Sequence, residues 1–356
     1  GEYALATQVV SLPEGPDLGA AGQPTRPVNL NSPSGETDLA ASLTALQAEL
    51  PNVGSGLLIV SWFGDDLRCA DCTIRPKVEA VDPDSADQPW RVAGLSRVEA
   101  MEVPRLDGAP VYGGTPSDAS VIQAIQALGA AGQKVVYYPF ILMDQLAGNF
   151  RPDPWSDAFH QPVLPWRGRI TLSQAPGRPG SPDGTAAAAT EVAAFFGTAQ
   201  PGDFAIDGGT VTYTGPEEWS YRRFILHQAA LCVAAGGVDA FCIGSEMVAL
   251  TAIRGPGDSF PAVAELIALL GDVRAMLGPD TKLTYAADWS EYFGTSPGDG
   301  SRFFHLDPLW AHPDCDVIGI DNYMPLSDWR EGAGHLDATE GGWRAIFDLD
   351  YLKANV

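Results

Sequence analysis

Three times in this chain a helical stretch runs into glycine and hands over to a short apolar segment that ends in polar residues. "TPSDASVIQAIQALGAAGQ" (115–133) precedes "KVVYYPFILMD" (134–144), and "EEWSYRRFILHQAALCVAAGG" (217–237) precedes "VDAFCIGSEM" (238–247). The stretch from Ser259 to Gly278, with Val263, Leu266, Ile267, Leu270 and Leu277 on one face, precedes "KLTYAADW" (282–289). A fourth connection, "RFFHLDPLWAHPD", leads into "CDVIGIDNYM" (315–324), and "GLLIVSWFGDD" (56–66) opens the series. Continuous apolar strands buried on both faces, alternating with amphipathic helices, predict a parallel sheet covered by helices. With "PWRVAGL" (89–95) the candidate strands number six.

The same pattern sets the expected boundaries. Thr115 with Pro116 at the first helical position, and a capping box from Thr214 to Glu217, are expected to start two of the helices. Residues 1–50 read as an irregular lead-in with one helix, "TDLAASLTALQAEL", and residues 51–356 as the main domain. The Pro- and Gly-rich stretch 145–213 is too long for an ordinary connection and reads as an insertion built over one face.

Repeated βα units fit either an open doubly wound sheet or a closed (β/α)8 barrel. None of the strand ends carries a glycine-rich phosphate loop. They carry Trp62, Asp65 and Asp66; Tyr138 and Asp144; Ser245 and Glu246; Asp288, Trp289 and Glu291; Asp321, Asn322 and Tyr323. Carboxylates and amides suit hydroxyls, and aromatic faces suit sugar rings. The expected fold is therefore an α/β, TIM-barrel-like one with a neutral polar ligand at the C-terminal ends of its strands. Glu246 is the candidate acid, since glycosidic cleavage uses paired carboxyl groups.

Composition narrows the partners. The net charge of −24, spread along the chain, repels phosphate backbones and anionic lipid, so no nucleic acid is expected as a partner. No window is apolar enough for a membrane span, and the first residues lack the basic and hydrophobic parts of a signal peptide. Cys69 and Cys72 read as a short-range disulfide or two free thiols; with no second ligand pair, neither metal nor cofactor is expected. His227 reads as a packed or surface histidine of its helix.

Several strings resemble known families. "IGSEM", "LTYAADWSEY" and "DVIGIDNYMPLSDW" resemble, in order and spacing, the endo-mannanase-type glycosidases of clan GH-A. "SWFGDDLRC", "YGGTPSDASVIQAI", "YYPFILMD" and "IGIDNYMPLSDWR" resemble the TIM-barrel-like domain of the large tail protein of gene transfer agents and related phages. That resemblance spans residues 50–356. It implies a glycoside-hydrolase-like domain in the tail or baseplate of a virion-like particle, made in the bacterial cytoplasm. The implied partners are other tail proteins and the envelope polysaccharide or peptidoglycan of a recipient cell. By position Glu246 would be the acid/base of a retaining hydrolysis at the end of strand 4. Trp62, Asp65, Tyr138, Asp144, Ser245, Asp288, Trp289, Asp321, Asn322 and Tyr323 would line the sugar site, and "CDVIGIDNY" would be strand 6. Ser245 stands where much of that clan has Asn, and the nucleophile is expected on a strand beyond Val356. A free-standing mannanase-like enzyme and a non-catalytic carbohydrate-binding barrel are the alternative readings.

Overall fold

The computed structural model describes residues 3–11, 25–81, 84–323, 326–327 and 329–355. The chain divides into two compact units, Gly1–Ile320 and Asp321–Val356. The first is built on a sheet of β1 (Ser55–Gly64), β2 (Lys134–Met143), β3 (Ala240–Ser245), β4 (Lys282–Asp288) and β5 (Gly319–Asp321), neighbours in chain order. β1–β2, β2–β3 and β3–β4 pair in parallel. A doubly wound sheet reverses its strand order at a switch point. The uninterrupted order here is that of singly wound βα units, and the fold is TIM-barrel-like.

One expected strand lies elsewhere. In "PWRVAGL" the segments Arg91–Val92 and Leu95–Ser96 form their own small hairpin. Ala93 and Gly94, at φ 50° and 88°, make its two-residue turn, which needs both residues in the left-handed region. The remaining strand of the sheet is instead Ile74–Arg75, antiparallel to the end of β1. Counted in chain order with Ile74–Arg75, Glu246 follows the fourth strand of the sheet and Gly319–Asp321 is its sixth, although Ala240–Ser245 is only the third strand of the parallel run.

The principal helices are α1 (Asp38–Glu49), α2 (Asp118–Ala130), α3 (Ala186–Phe196), α4 (Tyr221–Ala235), α5 (Val248–Thr251) and α6 (Pro261–Leu277). α2 starts two residues later than Thr115 suggests, because Ser117 is the cap, its Oγ accepting from the Ser120 N–H. Thr115 instead donates to the Ser61 carbonyl on the edge of β1 (2.8 Å). Likewise α4 begins at Tyr221 and is capped by Ser220, whose Oγ accepts from the Arg223 N–H, so Thr214 and Glu217 lie before the helix and do not form its capping box. Every residue of α4 from Tyr221 to Cys232 is buried. A helix buried all round needs cover on its outer side. The insertion provides it, through the hairpin Phe204–Asp207/Thr210–Tyr213 and through α3.

Side chains alternate across the sheet. Leu58, Val60, Trp62, Val135, Tyr137, Phe241, Leu283 and Tyr285 enter the large core under the helices. Tyr138, Phe140, Cys242 and Ala286 form a small separate cluster on the opposite face. In the second unit Tyr351 is buried, donating to Asp337 (2.8 Å) and packed by the rings of Trp329 and Trp343.

Candidate functional site

The geometry around Glu246 begins one residue earlier, with a bulge. β3 and β4 are in register at Cys242/Thr284, and Ser245 then pairs with Ala286, so β3 carries one extra residue. Gly244 lies in that bulge. A Cβ there would meet the Tyr221 hydroxyl at 2.1 Å, and that hydroxyl donates to the Ile243 carbonyl (2.7 Å). Glycine in "IGSEM" is thus the residue that lets α4 lock the bulged strand. Bulges re-aim side chains at strand ends. Glu246 follows with φ +51°, a strained value for a residue with a Cβ. Two bonds hold it there, from the Glu246 N–H to the Ala286 carbonyl (2.9 Å) and from the Met247 N–H to the Tyr285 hydroxyl (2.9 Å).

Glu246 is 5% exposed and its side chain meets two donors, Trp166 and Arg167. Arg167 Nη2 lies 2.8 Å from Oε2 and Trp166 Nε1 lies 3.2 Å from the same oxygen. Arg167, itself buried, also donates to the Ser245 carbonyl (3.1 Å) and hydroxyl (2.9 Å), and its guanidinium stacks 3.8 Å above the Phe140 ring. The Trp166 ring folds back over Gly168, where a Cβ would meet it at 2.5 Å. Its residue remains 42% exposed. Neither Trp166 nor Arg167 stands at a strand end, which is why a reading based on strand ends passes over them. The only sequence signal is the small glycine after "PWR" in an otherwise irregular stretch.

Behind Glu246 lies a buried polar group. Glu291, 2% exposed, accepts from Thr251 Oγ1 (2.5 Å), from the Tyr285 hydroxyl (2.9 Å) and from the Asp288 N–H (3.2 Å). Burial raises its carboxyl to about 7 against these donors. His305, joined to Thr251 Oγ1 at 3.2 Å, is lowered to about 4 by burial. Asp288 caps the turn after β4, accepting from the Ser290 N–H (2.9 Å) and hydroxyl. Trp289 beside it is 39% exposed.

Other expected site residues are engaged elsewhere. Trp62 is fully buried on the helix side of the sheet, with the rings of Trp219, Phe224 and His227 within 6 Å, and so offers no face to a sugar. His227 is buried and paired with Asp118 (3.0 Å). Asp65 accepts from the Thr73 N–H (2.7 Å) and pairs with Arg151. Asp66 is wholly buried; burial alone would raise its carboxyl, but donors on Arg68 and Gln161 hold it below the usual range. Asp144 pairs with buried Lys77 (2.6 Å), and burial raises it in spite of that cation. Tyr138 sits in the small cluster with Phe140, on the face opposite the main core. Asp321 is the last residue of β5, at the boundary where the second unit begins, and Asn322 and Tyr323 follow it in that unit, where Tyr323 is 69% exposed. Cys69 and Cys72 are buried free thiols, and burial pushes Cys72 up to about 12. Among the described residues no three His, Cys, Asp or Glu side chains form a metal-sized group, and no helix is long and apolar enough to cross a membrane.

Comparison with known proteins adds the following. The family model described as "GTA TIM-barrel-like domain" matches residues 219–356. Among curated proteins none matches the chain. Similar solved structures include a GH113 β-1,4-mannanase complex at 15% identity and TM-score 0.39, covering 82% of this chain and 58% of that one. A second GH113 β-1,4-mannanase structure has 15% identity and TM-score 0.39, covering 86% and 64%. The GH113 β-mannanase AaManA of Alicyclobacillus acidocaldarius, in complex with ManMIm, has 16% identity and TM-score 0.39, covering 85% and 60%. The chain thus spans about three fifths of the length of these enzymes. At that TM-score no residue role passes from them to this chain.

Proposed function

We propose that this chain is the glycan-recognising part of a phage-like tail, and that the Glu246 site binds a neutral sugar without cleaving it. The observation that carries the reading is the two-donor clamp on Glu246. A general acid must arrive holding a proton. Glu246 Oε2 instead receives Arg167 and Trp166, and the adjoining cation favours the carboxylate over the acid. Asp65 and Asp144, other carboxylates that the strand ends offer as a partner, are committed to Arg151 and Lys77. The half-exposed rings of Trp166 and Trp289 offer apolar faces. The strongly acidic chain favours neutral over anionic glycans.

Tail membership, with other tail proteins as partners, rests on the family description for residues 219–356 and on the resemblance of the strand-end strings. Immunogold labelling of particles would place the chain at the tail or remove that part of the reading.

The central experiment is titration with mannan- and peptidoglycan-type oligosaccharides, together with assay for released reducing ends. Binding without release is expected, and Trp166→Ala should weaken it by roughly tenfold, the equivalent of about 1.4 kcal/mol. Turnover that disappears in Glu246→Gln would replace recognition by hydrolysis.

A further inference from the structure

We propose that Glu291 and Thr251 are positioning residues, Glu291 holding the backbone that aims Glu246 through the Tyr285 hydroxyl at one end and through the Thr251 hydroxyl at the other. The proposal deepens the reading of that site as a glycan site and rests on it.

The argument follows the hydrogen atoms. A phenol has one proton to give. The Tyr285 hydroxyl accepts from the Met247 N–H at 2.9 Å, so its own proton goes to Glu291, whose carboxylate oxygens lie 2.9 and 3.2 Å away. Thr251, the last residue of α5, places its hydroxyl on the same carboxylate at 2.5 Å. The segment from Glu246 to Thr251 is therefore tied to Glu291 at both ends, through Tyr285 at Met247 and directly at Thr251. That segment begins with the left-handed φ of Glu246. A strained residue persists only where its surroundings over-determine it. Tyr285, Glu291 and Thr251 are each at most 2% exposed, so water cannot substitute for a lost partner.

Trp166 reports on this arrangement, because its indole N–H points at Glu246 Oε2. The test uses the whole chain labelled with 15N at its nine indoles, the Trp166 signal being identified by its loss in Trp166→Phe. Glu291→Gln and Thr251→Val should each move the Trp166 signal toward its position in Glu246→Gln, with the remaining indole signals in place. In the unsubstituted chain the signal should also titrate with a midpoint near that of Glu291, about 7, and stop doing so in Glu291→Gln. The groups that face Glu291 are Tyr285 and Asp288 on β4, Thr251 on α5, Tyr221 on α4 and, across Thr251, His305. Of these His305 titrates near 4, well below that midpoint. A Trp166 signal unmoved in both variants, with the fold retained, overturns the proposal. Should Glu291→Gln fail to fold, Thr251→Val and Tyr285→Phe give the same readout. Failure of glycan binding would leave these signals unchanged, so the two ideas fail separately.

Discussion

At the scale of single residues, the chain places several charges where water cannot reach them, and each has a measurable consequence. Breaking a buried ion pair from one side leaves the other charge uncompensated. Arg167→Met should cost about 3–5 kcal/mol in a denaturant melt. Adding Glu246→Gln to it should return part of that loss, which a double-mutant cycle measures. Two buried titratable groups pull stability in opposite directions. The Glu291 carboxyl is raised from 4.5 to about 7, so the unfolded chain gives up that proton first. Its contribution is complete below pH 4.5 and shrinks by about 3 kcal/mol as pH rises to about 7. His305 is lowered from 6.5 to about 4, so the unfolded chain takes up that proton first, and stability falls as pH drops from 6.5 toward 4. Over the shared window the two largely cancel. Glu291→Gln should therefore make stability rise with pH between about 4 and 6.5, while His305→Gln should make it fall with pH between 4.5 and 7, as read by urea melts at several pH values.

At the scale of elements, the bulge in β3 depends on one missing methyl group. Gly244→Ala sets a Cβ 2.1 Å from the Tyr221 hydroxyl, so α4 must shift or the strand must straighten. The expected loss is about 1–3 kcal/mol, the range for overpacking a tight core. Tyr221→Phe in the same chain removes the clashing oxygen and should recover more than half of it. A melting temperature for Gly244→Ala equal to the parent's would mean that the bulge does not depend on this contact. The caps show a milder version of the same principle. Thr115 and Ser117 are both plausible starts for α2, and Ser117 takes that role because the buried Thr115 hydroxyl is used on the Ser61 carbonyl of β1.

At the scale of the whole molecule, the insertion is part of the core. Val192, Phe195, Phe196, Phe204 and Val211 are buried in the main cluster, and the same insertion carries Trp166 and Arg167. Replacing residues 145–213 by a short linker should abolish cooperative melting, because α4 loses its outer cover and Glu246 its cation. A shortened chain that still melted in a single sharp transition would overturn this account. Chelation, in contrast, should leave the melting temperature unchanged, given that Cys69 and Cys72 are buried free thiols and that no metal-sized group of ligands occurs among the described residues.

The alternation of helix, glycine and buried strand is local information, since apolar runs and glycine stops act over a few residues. The sequence by itself was therefore enough to determine the βα order, the TIM-barrel-like class and the position of Glu246 just after a strand. Pairing partners are not local. Whether "PWRVAGL" joined the sheet or closed on itself depended on the two positive φ values at Ala93 and Gly94, and on Ile74–Arg75 occupying the edge of β1 instead. Which strand-end carboxylates stay open to a ligand was equally beyond a linear reading. Asp65, Asp144 and Glu246 look alike in sequence, and only the fold brings Arg151, Lys77 and Arg167 to them from distant positions. Tertiary structure alone decided the chemistry of the site, because a carboxylate's role is set by the charge and burial around it and not by its place along the chain.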